Sequence, residues 1–569
     1  MRRSTVGVSL LIAMGCSGGM GNPPGTPAPS GGPVNQPGVP APGTPGGNRG
    51  GFGAAAPAAP MWTRNDTASY VRKTAPTDPI IQRMYTEGMT NGQAGKLAQV
   101  LMDSIGPRLT GSPGYHRAAD WIVKKYASWG VSARAQQYGT WNSWRRGTSH
   151  IDLISPRVRS LEGMMLGWSP GTGGRAIEGD VVLMPEVKTP EEFAAWATAH
   201  ARGKFILMSA PNPSCRTAMQ WDQFGQAGAR AKLDSTRRDM TAAWADRTKH
   251  GGNQYTWPAQ YGVAGVITSQ WSQYPGVNKV FGSWRQQVPT FDTSCEDYNL
   301  LFRLAQNNQG PKVRVTADAE MLGEQPMFNV IGEIKGSEKP NEYIVLSAHF
   351  DSWDGGSGAT DNGTGTITML EAMRILKTVY PNPKRTILVG HWGGEEQGLN
   401  GSRSFVEDNP AIVAGVRAGW NQDNGTGRIT SISPGPFSNA VAAMPRWVSE
   451  VPADIAGWIR IGGTGGPATG GTDNAAFQCA KSPVFGTSGL SWDYSLSTWH
   501  TNRDTFDKVV IDDLKNNATL IAMLTYLADK DNSLGAPMVI DSTTNNQGVR
   551  TAINYSCPKS TRNTSGSAR

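Results

Sequence analysis

The sequence predicts an α/β protein: a mixed, mostly parallel sheet sandwiched by helices, with a small β-rich segment inserted into it. Three observations carry this. Apolar runs rich in β-branched residues at 343–348, 386–392 and 418–422 read as buried strands. Residues 364–379 carry helical apolar spacing until Pro381 stops them, and strand, helix, strand in that order implies parallel pairing with covering helices. Between 155 and 325 the pattern shifts to short strands separated by turns.

Taken in order, Arg2 and Arg3 precede an apolar run at 6–14, followed by Gly15 and Cys16. A basic start, a short apolar stretch and a small residue before cysteine make 1–16 an export signal. The run falls short of the roughly 20 residues that span a bilayer. Ala13-Met14-Gly15-Cys16 resembles a bacterial lipobox, with Ala where Leu is usual, so membrane contact is expected only through a lipid on Cys16. The expected location is the periplasm or cell surface as a lipoprotein, or the medium as a secreted protein. Residues 17–60 are Gly, Pro, Ala, Ser and Asn with almost no large apolar side chain, a linker that burial does not fold.

Globular composition starts near residue 90. Helical spacing marks 94–102 and 115–129, where Ala118, Trp121, Ile122 and Tyr126 recur, and 131–137 alternates like a strand. Within the insertion, strands are expected at 180–184, 204–208, 262–268 and 313–317, and helices at 190–200 and 297–306. The main domain then comprises 90–154 and 326–532, with 155–325 as the inserted domain. A last helix at 511–527 closes it, and the tail 533–569 loses periodicity and is expected to be partly disordered.

At 569 residues and 38% hydrophobic content, the chain has ample material for large cores. Its formal charge of +8 comes without a long Lys/Arg tract or a basic helix interleaved with aromatics, which excludes a nucleic-acid partner. The densest basic stretch, 230–238, contains Asp234 and is followed by Asp239, as a solvated helix face would be. Beyond Cys16, the cysteines Cys215, Cys295, Cys479 and Cys557 suit two disulfides in an exported protein and leave three pairings open. Cys215 with Cys295 is preferred because both fall inside the insertion. The wide spacing, without a CxxC pair, argues against a structural zinc finger.

The chemistry lies in short motifs that follow the predicted strands. They are His349-Phe-Asp351, Ala-Thr-Asp361-Asn-Gly, Gly-Gly-Glu395-Glu396-Gln-Gly, Asn-Gln-Asp423-Asn-Gly and Trp499-His500-Thr. Taken singly they read blandly: Asp-Asn-Gly as a turn, paired glutamates as solvated surface, a His beside Trp as packed core. Together, in order and beside glycine turns, they supply a two-metal hydrolase. Amide hydrolysis at neutral pH needs a nucleophile better than water and a positive centre for the oxyanion. Two divalent cations about 3.5–4 Å apart provide both. Two His and three carboxylates, one of them shared, suit two Zn²⁺ with a position left open.

These motifs resemble the co-catalytic zinc exopeptidases, a family that includes bacterial secreted aminopeptidases, glutamate carboxypeptidases and transferrin-receptor-like proteins. The stretch from His349 through Ser352-Trp-Asp-Gly-Gly-Ser-Gly-Ala-Thr to Asp361 is similar to the strand-end motif of the plasma glutamate carboxypeptidase branch. The likeness runs from about Gly92 to Ala528, and 155–325 matches the family's protease-associated insertion. The resemblance implies that Asp361 bridges two metals, that His349 and Asp423 complete one site, and that Glu396 and His500 complete the other. It further implies Glu395 as general base, Asp351 orienting the His349 imidazole, and a cis Asp361-Asn362 peptide. Gly470-Gly471-Thr472-Asp473 resembles a loop lining the substrate cleft, which makes Asp473 a substrate contact, and Tyr494 is an oxyanion donor candidate. Trp499, where some relatives carry Tyr or His, departs from the family pattern. His391 is read as a core or supporting residue.

The expected activity is removal of single residues from peptide substrates, by family habit from the amino end. The alternative is a carboxypeptidase or dipeptidase of the glutamate carboxypeptidase kind. A non-catalytic receptor on the same scaffold is disfavoured by retention of every ligand. Glutaminyl cyclase, a single-zinc relative, is disfavoured by the insertion. The sequence sets no oligomeric state.

Overall fold

The computed structural model describes residues 77–564 apart from Trp271 and Asn546, so the expected signal at 1–16 with Cys16, and the linker at 17–60, lie outside the described residues. Helix α1 (Pro113–Ser128) begins at Ser112, whose hydroxyl accepts from the Tyr115 N–H, with Pro113 in the first turn. Strand β1 (Ser132–Ser155) follows, then β2 (Gly163–Met165), β3 (Ile177–Leu183), helix α2 (Pro190–His200) and β4 (Phe205–Leu207). Helix α3 (Ala229–Thr248), β5 (Gly265–Thr268), β6 (Thr290–Thr293) and helix α4 (Cys295–Gln306) complete this part. Strand β7 (Lys312–Ile334) runs back antiparallel to β1, pairing Lys312 with Ser155 and Glu333 with Ser132. The chain continues through β8 (Lys339–His349), helix α5 (Thr364–Val379), β9 (Arg385–Trp392) and helix α6 (Asn400–Asp408). It ends with β10 (Val416–Asn421), β11 (Ile429–Ser433), β12 (Phe485–Gly489) and helix α7 (Ile511–Lys530).

One sheet runs in the order β11-β12-β10-β8-β9-β7-β3-β4-β5-β6-β2. Pairings β12-β10, β10-β8 and β8-β9 are parallel, and β9-β7 is antiparallel. The expected mixed, mostly parallel sheet between helices is therefore the architecture observed. Every residue of β9 is buried, as a central parallel strand covered on both faces requires. On one face α5 and α7 contribute Ile367, Leu370, Met373, Leu520 and Leu524 to a core shared with Leu346, Val389 and Trp420. A second core, with Trp141, Trp144, Trp168, Phe205, Ile267, Phe291, Tyr298 and Val315, lies where the β1–β7 ribbon meets β3–β6.

The structure departs from the sequence reading in two places. Strand β1 continues well past the expected 131–137, and β7 well past the expected 313–317, because register shifts at Gln137/Gly139, Ser143/Trp144 and Arg146/Ser149 break the period-two alternation that marks a strand. The tail expected to be partly disordered is, among its described residues, tied back to the rest of the fold. Ile540 N–H donates to Pro436 O at 2.9 Å, Cys557 is disulfide-bonded to Cys479, and Thr140 N–H donates to Arg562 O at 2.9 Å. Main-chain hydrogen bonds and a disulfide hold this tail, and neither leaves an apolar period to read. The preferred pair Cys215–Cys295 is also formed. None of the described helices is long and apolar enough to cross a membrane.

Candidate metal centre

Register brings the motifs together. His349, the last residue of β8, pairs with Trp392 of β9, three residues before Glu395, while Ser347 pairs with Asn421 of β10, two residues before Asp423. The carboxyl ends of three neighbouring parallel strands thus open on one edge, where open α/β sheets place their sites. Asp361 arrives from the loop leading into α5. His500 comes from a loop rather than a strand end, in left-handed backbone with φ +52°. The peptide Asp361-Asn362 is cis, as the resemblance implies.

At this edge the side chains form two groups that share one member. Ligand atoms of His349, Asp361 and Asp423 lie within 4.8 Å of one another, and so do those of Asp361, Glu396 and His500. His349 Nε2 is 3.5 Å from Asp361 Oδ1 and 3.5 Å from Asp423 Oδ2. On the other side, His500 Nε2 is 3.2 Å from Asp361 Oδ2 and 3.0 Å from Glu396 Oε2. Asp361 therefore turns one oxygen to each imidazole. Glu395 stands on the His349 side, its Oε2 4.0 Å from Nε2.

The donor set fits a pair of divalent cations. His349 Nε2, Asp361 Oδ2, Glu396 Oε1 and Asp423 Oδ1 are buried without hydrogen bonds, which is costly unless something positive engages them. Burial, reinforced by the Asp423, Asp473 and Glu396 carboxylates, pushes the Glu395 carboxyl well above the usual carboxylate range. Burial also takes Glu396 up to about 7. Burial alone would raise Asp361, yet the neighbouring His349 and His500 imidazoles hold it below the usual range. His500 is drawn up to about 9 against burial, chiefly by Glu396. Carboxylates crowded in this way hold protons that divalent cations would replace.

The surroundings explain the glutamate pair. Gly394 adopts φ +70°, and a Cβ on Gly393 would lie 2.0 Å from the Tyr115 hydroxyl, so the turn before Glu395 admits only glycine. Asp351 sits beneath this turn. Its Oδ1 accepts from Glu395 N–H at 3.2 Å and its Oδ2 from Glu396 N–H at 3.3 Å. The expected contact of its carboxylate with the His349 ring is 3.6 Å, and the hydrogen bond to Nδ1, at 3.2 Å, is made by the Asp351 main-chain carbonyl. Asp351 thus supports both motifs, the imidazole through backbone and the glutamates through its side chain.

Asp473 is fully buried with neither oxygen hydrogen-bonded, and burial raises it to about 7. The Tyr494 phenol is raised well above its ordinary value by burial, then by Asp361 and Asp423. His391 is completely buried beneath the centre, its Nε2 2.7 Å from the Tyr126 hydroxyl.

Residues that the sequence did not point to also build the site. Arg108, fully buried, donates to Phe350 O at 2.5 Å, Gly106 O at 3.0 Å, Ser357 O at 2.7 Å and Gly358 O at 2.7 Å. It ties down the loop between His349 and Asp361. Asp504 accepts from Thr360 N–H at 2.7 Å and Asp361 N–H at 3.0 Å, which links the His500 loop to the shared carboxylate. Most of their partners are main-chain groups, which no residue pattern announces.

Residues 329–525 match Peptidase family M28. Carboxypeptidase Q of Mus musculus is 26% identical over 330 residues, covering 58% of this chain and 64% of the relative. The alignment thus spans a little under two-thirds of that relative's length. A peptidase M28 precursor from Shewanella amazonensis superposes with a TM-score of 0.59 at 23% identity, over 81% of this chain and 98% of its own. A zinc aminopeptidase from Bacillus subtilis does so at 0.50 and 19% identity, over 79% of this chain and 97% of its own. At these identities the superpositions establish the fold. The M28 match contains both residue groups that meet at Asp361, which supports the likeness of this part of the chain to the co-catalytic zinc exopeptidases.

Proposed function

We propose that this protein is a dinuclear zinc exopeptidase that hydrolyses terminal peptide bonds, most directly an aminopeptidase. The observation that carries the reading is the Asp361 carboxylate, with one oxygen facing His349 and the other facing His500. His349, Asp361 and Asp423 would hold one Zn²⁺, and Asp361, Glu396 and His500 the other. Bound there, the ions would supply an acidified water and a positive centre for the developing oxyanion.

The chain's own residues do the remaining work. Glu395, kept proton-hungry by burial, takes the water proton at its carboxylate and delivers it to the leaving amine. Asp351 holds the Glu395-Glu396 turn by both N–H groups, so that one glutamate serves the metal and its neighbour the water. Tyr494 donates to the oxyanion. Asp473, buried and unpaired, receives the α-ammonium of a substrate's amino end.

A carboxypeptidase or dipeptidase is the second reading, favoured by Arg403. This half-buried guanidinium on α6 feels the Asp473 and Glu395 charges and would suit a substrate carboxylate. Residues 155–325 are read as a protease-associated insertion. Export from the cytosol is supported by two disulfides, which persist in oxidising compartments.

Glu395→Gln tests the reading on a panel of aminoacyl-nitroanilides, dipeptides and acidic C-terminal peptides. The variant should keep its zinc and lose about 10²–10⁴-fold in turnover. Turnover equal to wild type places the base elsewhere, and the cleaved member of the panel decides the substrate end.

A further inference from the structure

His500 is the one proposed ligand whose backbone is left-handed, a conformation that a non-glycine residue keeps only where its surroundings impose it. The loop carrying it is tied through Asp504 to Thr360 and Asp361. It is also held from 278–280, some 220 residues away in sequence.

Residues 278–280 run antiparallel beside 500–502. Val280 N–H donates to His500 O at 2.8 Å, Asn502 N–H donates to Asn278 O at 3.1 Å, and Lys279 pairs with Thr501 as an isolated bridge. The Asn278 and Asn502 side chains close the contact: Asn278 N–H donates to Asn502 Oδ1 at 3.0 Å, and Asn502 Nδ2 donates to Asn278 Oδ1 at 3.0 Å. The Lys279 side chain, 7% exposed, donates from Nζ to the Trp499 main-chain carbonyl. The same ammonium lies 4.4 Å from the centre of the Trp499 ring, which stacks on the His500 imidazole at 4.0 Å and 23°. Phe281 meets that imidazole edge-on at 4.9 Å.

The support is anchored at its far end. Lys279 N–H donates to Asp292 Oδ1 at 3.2 Å, while Asp292 Oδ2 accepts from Gln270 N–H at 2.8 Å. Asp292 lies on β6, one of the short strands within 155–325. A continuous chain of contacts therefore joins the insertion to one imidazole, and among the described residues nothing equivalent reaches His349, whose ring is fixed by the Asp351 carbonyl on its own loop.

We propose that Lys279 is a positioning residue for His500, and that through it the insertion sets the affinity of the Asp361–Glu396–His500 half-site while leaving the His349–Asp361–Asp423 half-site alone. The inference rests on the two-metal reading above. The lysine acts twice on one neighbour: its donated hydrogen bond fixes the carbonyl just before His500, and its charge fixes the ring on which the imidazole stacks.

The test is stepwise Zn²⁺ binding to chelator-stripped full-length protein, measured by competition with a chromogenic chelator, for wild type and Lys279→Met. The melting temperature of the metal-free forms is recorded in parallel. Wild type should bind two ions. Lys279→Met should bind the first with unchanged affinity and the second about 10–100-fold more weakly, with the metal-free melting temperature little altered. If Lys279→Met does not fold, Lys279→Gln, which keeps a donor without the charge, takes its place. Two ions bound with wild-type affinities, or both steps weakened equally, overturn the positioning role while leaving the two-metal reading intact. A single ion on wild type overturns that reading itself, and the inference with it.

Discussion

Glu395 and Glu396 are neighbours in sequence, yet one belongs to the Asp361–Glu396–His500 group and the other faces His349. A glycine-only turn and one buried aspartate separate them. Motifs of this sort are legible because the chemistry demands carboxylates and imidazoles beside glycine, a combination that packing alone does not select. Arg108 and Asp504 are equally deep in the site but serve carbonyls and N–H groups that every residue possesses, so nothing in the sequence marks them. The reading of Asp351 fell between these cases. Its place beside the centre was legible, whereas the division of labour between its carboxylate and its backbone depended on the fold.

His391 allows a pH prediction at the same scale. Burial depresses its folded-state value to about 3, while an unfolded histidine titrates near 6.5. The neutral ring therefore contributes stability in full above about pH 6.5. That contribution is lost as pH falls toward 3, with a limiting slope of about 1.4 kcal/mol per pH unit. Thermal unfolding of wild type and His391→Gln between pH 7 and 4 checks this. The wild-type curve should fall more steeply than that of the variant, and parallel curves would show that the ring's titration is not linked to folding.

At the level of elements, the central strands and their helices were readable from continuous apolar runs, since β9 is buried along its whole length. The long β1–β7 ribbon was not, because each bulge shifts which face its side chains occupy. Helix α3 was visible only as a charged face at 230–238, for good reason: of its 20 residues, Leu233 alone is buried. The loop from His349 to Asp361 buries Phe350, Trp353 and Ala359 in the cores, and the Arg108 guanidinium ties its carbonyls together. Arg108→Met removes those hydrogen bonds and leaves the Phe350, Ser357 and Gly358 carbonyls without this donor. It should cost about 3 kcal/mol or more, read from denaturant unfolding with unchanged m-value. A loss below about 1 kcal/mol would mean the loop is held by other contacts.

Across the described residues, the proposed ligands come from several separate segments and converge on a single edge of the sheet, and distant segments stabilise that edge. The tail wraps back so that Arg562 pairs with Glu407 and Asp408 on α6, and residues 278–280 reach the His500 loop. The short strands β2 to β6 within 155–325 were legible from the change in pattern. The hold of Asn278 and Lys279 on the His500 loop was not, because both sit in a stretch without periodicity and meet their partners only after folding.

The central claim is that one carboxylate, Asp361, joins two cations. The most direct measurement is a crystal structure of the zinc-loaded protein with anomalous data collected at the zinc edge. Two peaks about 3.5–4 Å apart, with an Asp361 oxygen on each and His349 and His500 on opposite sides, are predicted. One peak, or two with Asp361 bound to only one of them, would contradict it.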